Sequence, residues 1–240
     1  MLAPRVRCIE VGEDGHIILA DGVFKKTEVM QKYGLPPRDL RKIGTSNLPR
    51  ILIRPSVILL NLIHLKALIR CDRVLLFNVS GAQISKAESA FILNLQNNIR
   101  HNDSRKVLLP YELRALEAVL SSEMAALEED LDSMRRPVSR ILEELEDDVD
   151  RQKLRVLLIL SKQVNSFERR ARLVRNAIEE ILEVDCSLPA LHLAENSRRC
   201  SVPSDPIEVA LLLDSYYTIS DEIAQEAQNL ASRIKNTEDM

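Results

Sequence analysis

The sequence predicts an α+β protein, in which an N-terminal α/β unit is followed by a long antiparallel helical bundle. Up to Pro110, short apolar runs alternate with short helical patterns, which is typical of strands and helices packed into one unit. Beyond Pro110, apolar residues recur every three or four positions over long segments, which indicates helices. We therefore expect an α/β subdomain over residues 1–110, with a mixed or antiparallel sheet and short helices, and a long-helix subdomain over residues 111–240.

Turn signals divide the α/β half into its elements. "RVRCIEV" and "GHIILAD" flank the turn "GEDG", and "FKKTEVMQKYG" predicts a short helix that ends at Gly34. "RILIRP" and "SVILLNL" predict two strands, because Pro55 at their junction argues against one continuous central strand. We expect a short helix at "IHLKALIR", a strand at "RVLLFNV", a longer amphipathic helix at "ISKAESAFILNLQNNIRHN" and a last strand at "KVLLP".

Three apolar stripes predict the long helices. The steps of the first stripe lie close to the 3.5-residue repeat of a helix that packs along a partner, and Pro137 inside it predicts either a kink or two helices. A short turn near "EDDVDR" makes the first two helices antiparallel neighbours. The third helix opens at "SDP", with Asp205 as its cap, and is still periodic at Met240, so we expect a further segment beyond it. The stripes comprise Leu113, Leu116, Leu120, Met124, Leu127, Leu131, Met134, Val138, Ile141 and Leu145; Leu154, Leu157, Val164, Phe167, Ala171, Val174, Ile178 and Ile181; and Val209, Leu212, Tyr216, Ile219, Ile223, Leu230 and Ile234.

Composition excludes several classes of function. The net charge of −3 gives the chain no general attraction for nucleic acid or for an anionic membrane surface. The four cysteines are widely separated, which indicates free thiols in a reducing compartment. The apolar run 51–69 is interrupted by charged and polar residues, and Met1 is not followed by a targeting peptide, so we expect a soluble piece. The motifs of nucleotide-binding proteins, metalloproteases and serine hydrolases are all missing, so we expect no enzyme and no catalytic or cofactor-binding residues.

Acidic clusters are the candidate chemistry. One cluster, which includes Asp147 and Asp148, lies at the turn between the first two long helices, and another, with Glu179, Glu183 and Asp185, lies at the end of the second helix. Glu179 and Glu183 are four residues apart and share one helical face. Carboxylate oxygens suit hard divalent cations, and a cation near a helix C-terminus would also offset the unfavourable macrodipole. The alternative is a solvated acidic face.

Two further features have competing interpretations. The charged segment that contains Arg38, Asp39, Arg41 and Lys42 could bind phosphate or could form a structural latch between helix and sheet. His64 lies on an apolar element, which is more typical of a hydrogen-bonded core residue than of a metal ligand.

Four segments together resemble a known family. "PPRDLRKIG", "RILIRPSVILLNLIHLKALIRCDRVLLF", "LPYELRALEAVL" and "LLLDSYYTISDEIAQEAQNLASRIKNTEDM" occur here in that order. They resemble the CorA superfamily of magnesium transporters, in the fungal type of its mitochondrial inner-membrane branch. Where relatives carry an Asp-rich loop, this chain keeps Glu183 and Asp185 but has Val184, Cys186 and Ser187. The resemblance implies that two membrane helices and a Gly-Met-Asn pore motif follow the present sequence.

The resemblance also implies a function. We expect a matrix-facing regulatory domain of a homopentameric channel in the mitochondrial inner membrane, which senses Mg2+ through acidic surfaces and restrains the gate. A paralogous transporter subunit is a further expected partner, and the membrane is reached through the missing C-terminal helices. The alternative is a metal-indifferent assembly module of the same transporter. A scaffold for RNA is disfavoured, because the net charge is negative and the sequence has no clusters of basic and aromatic residues.

Overall fold

The described parts of the chain contain six strands and five helices with defined bounds, and residues 37–39 are also helical. The computed structural model describes residues 5–39, 48–78, 86–100, 110–147, 150–183 and 206–238. The strands are β1 (Arg5–Gly12), β2 (Ile17–Lys25), β3 (Arg50–Arg54), β4 (Val57–Asn61), β5 (Lys66–Ile69) and β6 (Arg73–Asn78). The helices are α1 (Lys26–Tyr33), α2 (Lys86–Arg100), α3 (Tyr111–Asp147), α4 (Arg151–Leu182) and α5 (Pro206–Glu238).

The strands form one sheet in the order β2-β1-β6-β5-β4-β3. Every neighbouring pair is antiparallel, which settles the choice between a mixed and an antiparallel sheet. Four of the five pairs join strands that follow one another in sequence, and β1 with β6 is the exception. The α+β prediction is therefore confirmed, with local hairpins forming most of the sheet.

Turn residues explain where the strands end. Gly15 closes the β1–β2 turn with φ 75°, and Gly34 ends α1 with φ 63°, a left-handed conformation that glycine adopts without strain. Arg54 pairs with Val57, so that Pro55 lies in a two-residue hairpin turn beside the edge strand β3. These three predicted breaks are confirmed.

The predicted short helix at "IHLKALIR" is wrong. Residues 66–69 form β5, which pairs with β4 on one side and with β6 on the other. Ala67, Leu68 and Ile69 are all buried because both faces of the sheet are covered here, and a short continuous apolar run is ambiguous between a strand and a helix. The predicted last strand at "KVLLP" lies outside the described residues, apart from Pro110.

Helices cover both faces of the sheet. On one face, α1 contributes Val29 and Tyr33 to a small apolar cluster with β-strand residues. The other face belongs to a large cluster that also includes α2, α3, α4 and α5. Buried residues from both sides of position 110 share this cluster, so the boundary between the two subdomains stays a prediction.

The long helices bury the predicted stripes. In α3, nine of the ten stripe residues are buried and Met134 is half-buried. Pro137 lies inside α3, which runs without interruption from Tyr111 to Asp147, so the division into two helices is excluded. The buried stripe of α4 begins at Leu157, because Leu154 is exposed. In the second turn of α5 the buried residue is Leu213, whereas the predicted stripe residue was Leu212.

A buried tyrosine fixes the start of α3 to the sheet. The Tyr111 hydroxyl donates to the carbonyl oxygen of Gly12 at 3.2 Å and lies 3.4 Å from that of Val11. Burial raises the pKa of Tyr111, so this hydroxyl keeps its proton at any physiological pH. The first turn of the long-helix segment is therefore held against the end of β1.

The end of α1 provides a test of the backbone geometry. A Cβ at position 34 would meet nothing within 4 Å, so Gly34→Ala adds only the strain of a left-handed conformation. We expect Gly34→Ala to lower the free energy of unfolding by about 1–2 kcal/mol, measured by chemical denaturation. Gly34→Asn is the matched control, and it should lower stability less because asparagine tolerates this conformation. Equal losses for the two variants would contradict the assignment.

Candidate functional site

A buried carboxylate joins the sheet to the longest helix. Glu123 of α3 is fully buried, and its two oxygens accept hydrogen bonds from the backbone N–H groups of Ile63, His64 and Leu65 at 3.0–3.1 Å. These residues form the β4–β5 turn, which Leu62 closes by donating to the carbonyl oxygen of Leu65 at 2.9 Å. Consecutive N–H groups that converge in a turn form a concave anion-binding site. We call Glu123 with these three N–H groups the carboxylate anchor.

His64 extends this contact to a second carboxylate. Its Nδ1 lies 3.2 Å from a carboxylate oxygen of Glu123, and its Nε2 lies 3.2 Å from one of Asp130. The two acids are seven residues apart on α3, which is two helical turns. The prediction that His64 is a hydrogen-bonded residue is confirmed, although its side chain keeps 21% of its surface exposed.

The three long helices have defined directions. Arg175 of α4 contacts Asp221 of α5 at 2.9 Å, and the Tyr217 hydroxyl donates to Glu179 at 3.4 Å. Because the residue number rises in α4 while it falls in α5, these two helices are antiparallel.

In the contacts between α3 and α5, the residue number rises along both helices. Ser121 lies near the Tyr216 hydroxyl, and Arg135 forms an ion pair with Glu226, so the two helices are parallel. The C-terminal ends of α3 and α5 therefore lie at the same end of the bundle as the start of α4.

An acidic groove of about 240 Å3 lies between α3 and α5. Its carboxylates are Glu128 and Asp132 from α3 and Glu222 and Glu226 from α5, and the same groove is lined by the guanidinium of Arg135. Arg135 lies 3.1 Å from Asp132 and also pairs with Glu226. One cation thus faces four anions, and we call this feature the acidic groove.

The acids that the sequence singled out do not form one cluster in the described structure. Glu179 faces α5 beside the Arg175–Asp221 pair, whereas Glu183 is exposed at the end of α4, where its backbone N–H donates to the carbonyl oxygen of Glu179. Asp147 is the last residue of α3, but its side chain is not described. Asp148 and Asp185 lie outside the described residues.

A metal centre is not formed among the side chains that can be located. Within the described residues, no three His, Cys, Asp or Glu side chains come close enough to hold an ion. The assignment of Glu179, Glu183, Asp185, Asp147 and Asp148 as metal ligands therefore stays a prediction.

The charged segment after α1 forms a latch. Asp39 is 1% exposed, and its carboxylate accepts a hydrogen bond from Nε of Arg54 on β3 at 2.9 Å. This contact ties the segment to the sheet edge, as the latch interpretation requires. Arg41 and Lys42 lie outside the described residues.

Glu123 was not among the candidate residues predicted from the sequence. Its position carried a signal, because Glu123 follows Leu120 by three residues and precedes Leu127 by four, which places it on the buried face of α3. A charged residue on such a face requires a partner. The partner itself was unpredictable, since the backbone N–H groups lie about sixty residues earlier in the chain.

Comparison with known proteins identifies the family. The family model described as "Magnesium transporter MRS2-like" matches residues 7–240. This chain belongs to that family. The MRS2-like assignment confirms the resemblance to the mitochondrial branch of the CorA superfamily.

Three curated relatives show how much of an MRS2-like protein this chain represents. "Mitochondrial inner membrane magnesium transporter MRS2" of Gibberella zeae is 55% identical over 99% of this chain and 44% of its own length. The Aspergillus fumigatus relative of the same name is 48% identical, with 99% and 40% covered. "Mitochondrial inner membrane magnesium transporter LPE10" of Yarrowia lipolytica is 44% identical, with 98% and 52% covered. The chain thus spans about half the length of the curated relatives it matches.

A solved structure shares the fold. "The complete structure of CorA magnesium transporter from Methanocaldococcus jannaschii" superposes with a TM-score of 0.57 over all of this chain and 77% of that chain, at 14% identity. At this identity the likeness shows the fold alone. Of the helices in the described ranges, none is both long enough and apolar enough to cross a bilayer.

Removing the charge of the anchor should destabilise the chain. In Glu123→Gln, one oxygen of the carboxylate becomes an NH2 donor that faces backbone donors in a buried site. We expect the free energy of unfolding to fall by about 3 kcal/mol, and the melting temperature to fall by roughly 6–12 °C. Chemical and thermal denaturation measure these changes.

Glu129→Gln is the control for this prediction. Glu129 lies on the same helix but is exposed, and it pairs with Lys86, so its loss should change stability by less than about 1 kcal/mol. If both variants had equally small effects, Glu123 would not be an anchor.

Proposed function

We propose that this chain is the N-terminal, matrix-facing regulatory region of a CorA-type magnesium channel in the mitochondrial inner membrane. In this proposal it senses matrix Mg2+ and restrains the gate. The observation that carries the proposal is the family match over residues 7–240. Relatives named as mitochondrial inner membrane magnesium transporters support the location and the ion, and their names describe transport and no enzymatic reaction.

The acidic groove supports a response to magnesium. Carboxylates on α3 and α5 face one another with one guanidinium between them, so their repulsion pushes the two helices apart. A divalent cation in the groove would reduce that repulsion. Magnesium commonly binds through one or two carboxylates and keeps several waters, which suits a groove whose side chains do not converge on one point.

The bundle could transmit this response. The parallel helices α3 and α5 end at the same end of the bundle, so a change in their separation reaches whatever follows α5. For regulation, magnesium must bind the closed state more tightly than the open state, because a ligand with equal affinity for both shifts nothing. Loss of magnesium would then loosen the bundle and release the gate.

The acids near the ends of α3 and α4 are a second set of candidates. Glu179, Glu183, Asp185, Asp147 and Asp148 belong to the same proposal as regulatory ligands. Glu179 already faces α5, so a cation there would act on the same helix as the acidic groove.

The proposed partners are those expected of a region of a CorA-type channel. We include self-association, as a homopentamer in the full-length transporter, and pairing with a paralogous subunit. Attachment to the membrane would come through helices other than those in the described ranges. Nucleic acid is not an expected partner, since the net charge is −3.

A metal-indifferent assembly module is the second candidate function. The observation that favours it is the exposure of four large aliphatic side chains in the first turns of α4, namely Leu154, Val156, Leu158 and Ile159. An exposed apolar helix surface suits packing against another subunit. In that case association would be independent of magnesium, and the acids would form only a solvated surface.

Magnesium should stabilise the chain more than sodium at equal ionic strength. At a hundred times its Kd, a ligand of the folded state adds about 2.7 kcal/mol, which corresponds to a rise in melting temperature of roughly 5–10 °C. Glu128→Gln/Glu222→Gln should reduce this rise if the acidic groove binds the ion. Glu179→Gln/Glu183→Gln/Asp185→Asn should reduce it if the end of α4 binds the ion. Calorimetry at several magnesium concentrations measures each effect.

A variant with matched charge separates binding from general screening. Glu129→Gln/Glu208→Gln removes two charges from the same two helices outside the acidic groove, so its magnesium response should equal that of the wild type. An identical response to magnesium and sodium in the wild type would reject sensing. Ultracentrifugation that shows association unaffected by magnesium would then favour the assembly module.

A further inference from the structure

The ring of His64 lies between two groups that can only accept hydrogen bonds. An ionised carboxylate has no proton to donate, so each ring nitrogen satisfies its neighbour only when it carries a hydrogen. Nδ1 and Nε2 are both 3.2 Å from carboxylate oxygens, of Glu123 and Asp130 respectively. The geometry therefore favours the imidazolium, in which both nitrogens are donors.

We propose that His64 acts as a proton-dependent clamp, which in its imidazolium form ties the β4–β5 turn to both Glu123 and Asp130 and which releases Asp130 when it loses a proton. This goes beyond the proposed magnesium response, because the clamp responds to pH through residues outside the acidic groove.

The electrostatic surroundings support the charged ring. Burial by itself lowers the pKa of His64, but the hydrogen bond and charge of Glu123 and then those of Asp130 outweigh it, so that the net shift is upward. Of the described residues packed around the turn, Glu123 and Asp130 from α3 are the charged groups facing the ring. The ring is 21% exposed, so it can exchange its proton with solvent.

The two contacts differ in how they respond to deprotonation. Glu123 is fully buried and keeps three backbone donors whatever the state of the ring, whereas Asp130 is 43% exposed and can turn to water. The neutral tautomer with hydrogen on Nδ1 therefore keeps its bond to Glu123 and gives up the one to Asp130. The turn stays docked, and α3 is released two helical turns beyond the carboxylate anchor.

The direction of the pH effect follows from the raised pKa. A group whose pKa is higher in the folded state stabilises the fold fully below its unfolded pKa, about 6.5 for histidine, and this stabilisation is lost as pH rises through the folded pKa. A rise in pH through the raised pKa of His64 should therefore loosen the contact between His64 and α3.

The test follows the ring of His64 by NMR titration of the 240-residue chain. In the wild type, we expect its midpoint above the value of about 6.5 for an unperturbed histidine, and Asp130→Asn should lower this midpoint. If the His64 ring made no contact with Asp130, its titration midpoint would not change when the charge of Asp130 is removed. A wild-type midpoint at or below that value, or one that Asp130→Asn leaves unchanged, would overturn the proposal.

Stability measurements provide the second readout. The difference in melting temperature between the wild type and His64→Gln should be larger at pH 6 than at pH 8.5. His16→Gln removes an exposed histidine in the β1–β2 turn and is the matched control, for which no such pH dependence is expected. A constant difference for His64→Gln would contradict the clamp. If His64→Gln does not fold, the titrations of the wild type and Asp130→Asn decide alone.

Discussion

The placement of α3 against the sheet depends above all on one buried carboxylate, that of Glu123. Glu123 is removed from water, and such a carboxylate is tolerated only when hydrogen bonds replace its hydration. The three N–H groups of the β4–β5 turn supply those bonds, and the same turn aligns the neighbouring strands β4 and β5. Because the contact is polar and directional, it fixes the rotation of α3 in a way that aliphatic packing alone would not.

From this contact, the rest of the bundle is built outward along α3. Tyr111 holds the first turn of the helix against β1, Glu123 holds its middle against β4 and β5, and the later turns carry the acidic groove toward α5. The α3 side of the acidic groove is therefore held in a fixed position relative to the sheet. Its α5 side is set by helix packing and by the Arg135–Glu226 pair, which is exposed. A change of charge in the groove would accordingly move α5 more readily than α3.

The sequence predicted correctly those parts of the fold that are determined by residues close to one another in the chain. The apolar stripe of α3 and the glycine at the end of α1 were predicted correctly, because helix periodicity and left-handed caps are properties of neighbouring residues. β5 was mistaken for a helix, since a strand that is covered on both faces of the sheet has one continuous apolar run, which does not distinguish it from a short helix. Pro137 did not divide α3, because tertiary packing on both sides of it outweighs the loss of one backbone hydrogen bond.

The candidate site was less predictable than the fold. The acidic groove combines residues about ninety positions apart, and no spacing in the sequence relates Glu128 to Glu222. Glu123 was visible as a charge on an apolar face, but three of its partners are backbone N–H groups, which leave no trace in the residue types. The ion and the membrane were inferred from the resemblance to a family. The packing of the helices forms the acidic surfaces that the proposal assigns to the ion.

Amide hydrogen exchange tests the central contact most directly. The backbone N–H groups of Ile63, His64 and Leu65 lie in a turn, where amides ordinarily exchange quickly, but here they donate to a buried carboxylate. If Glu123 anchors the turn, these three amides exchange as slowly as the paired amides of β4 and β5, through unfolding of the whole unit. Exchange at the rate of an open turn, with β4 and β5 still protected, would contradict the account.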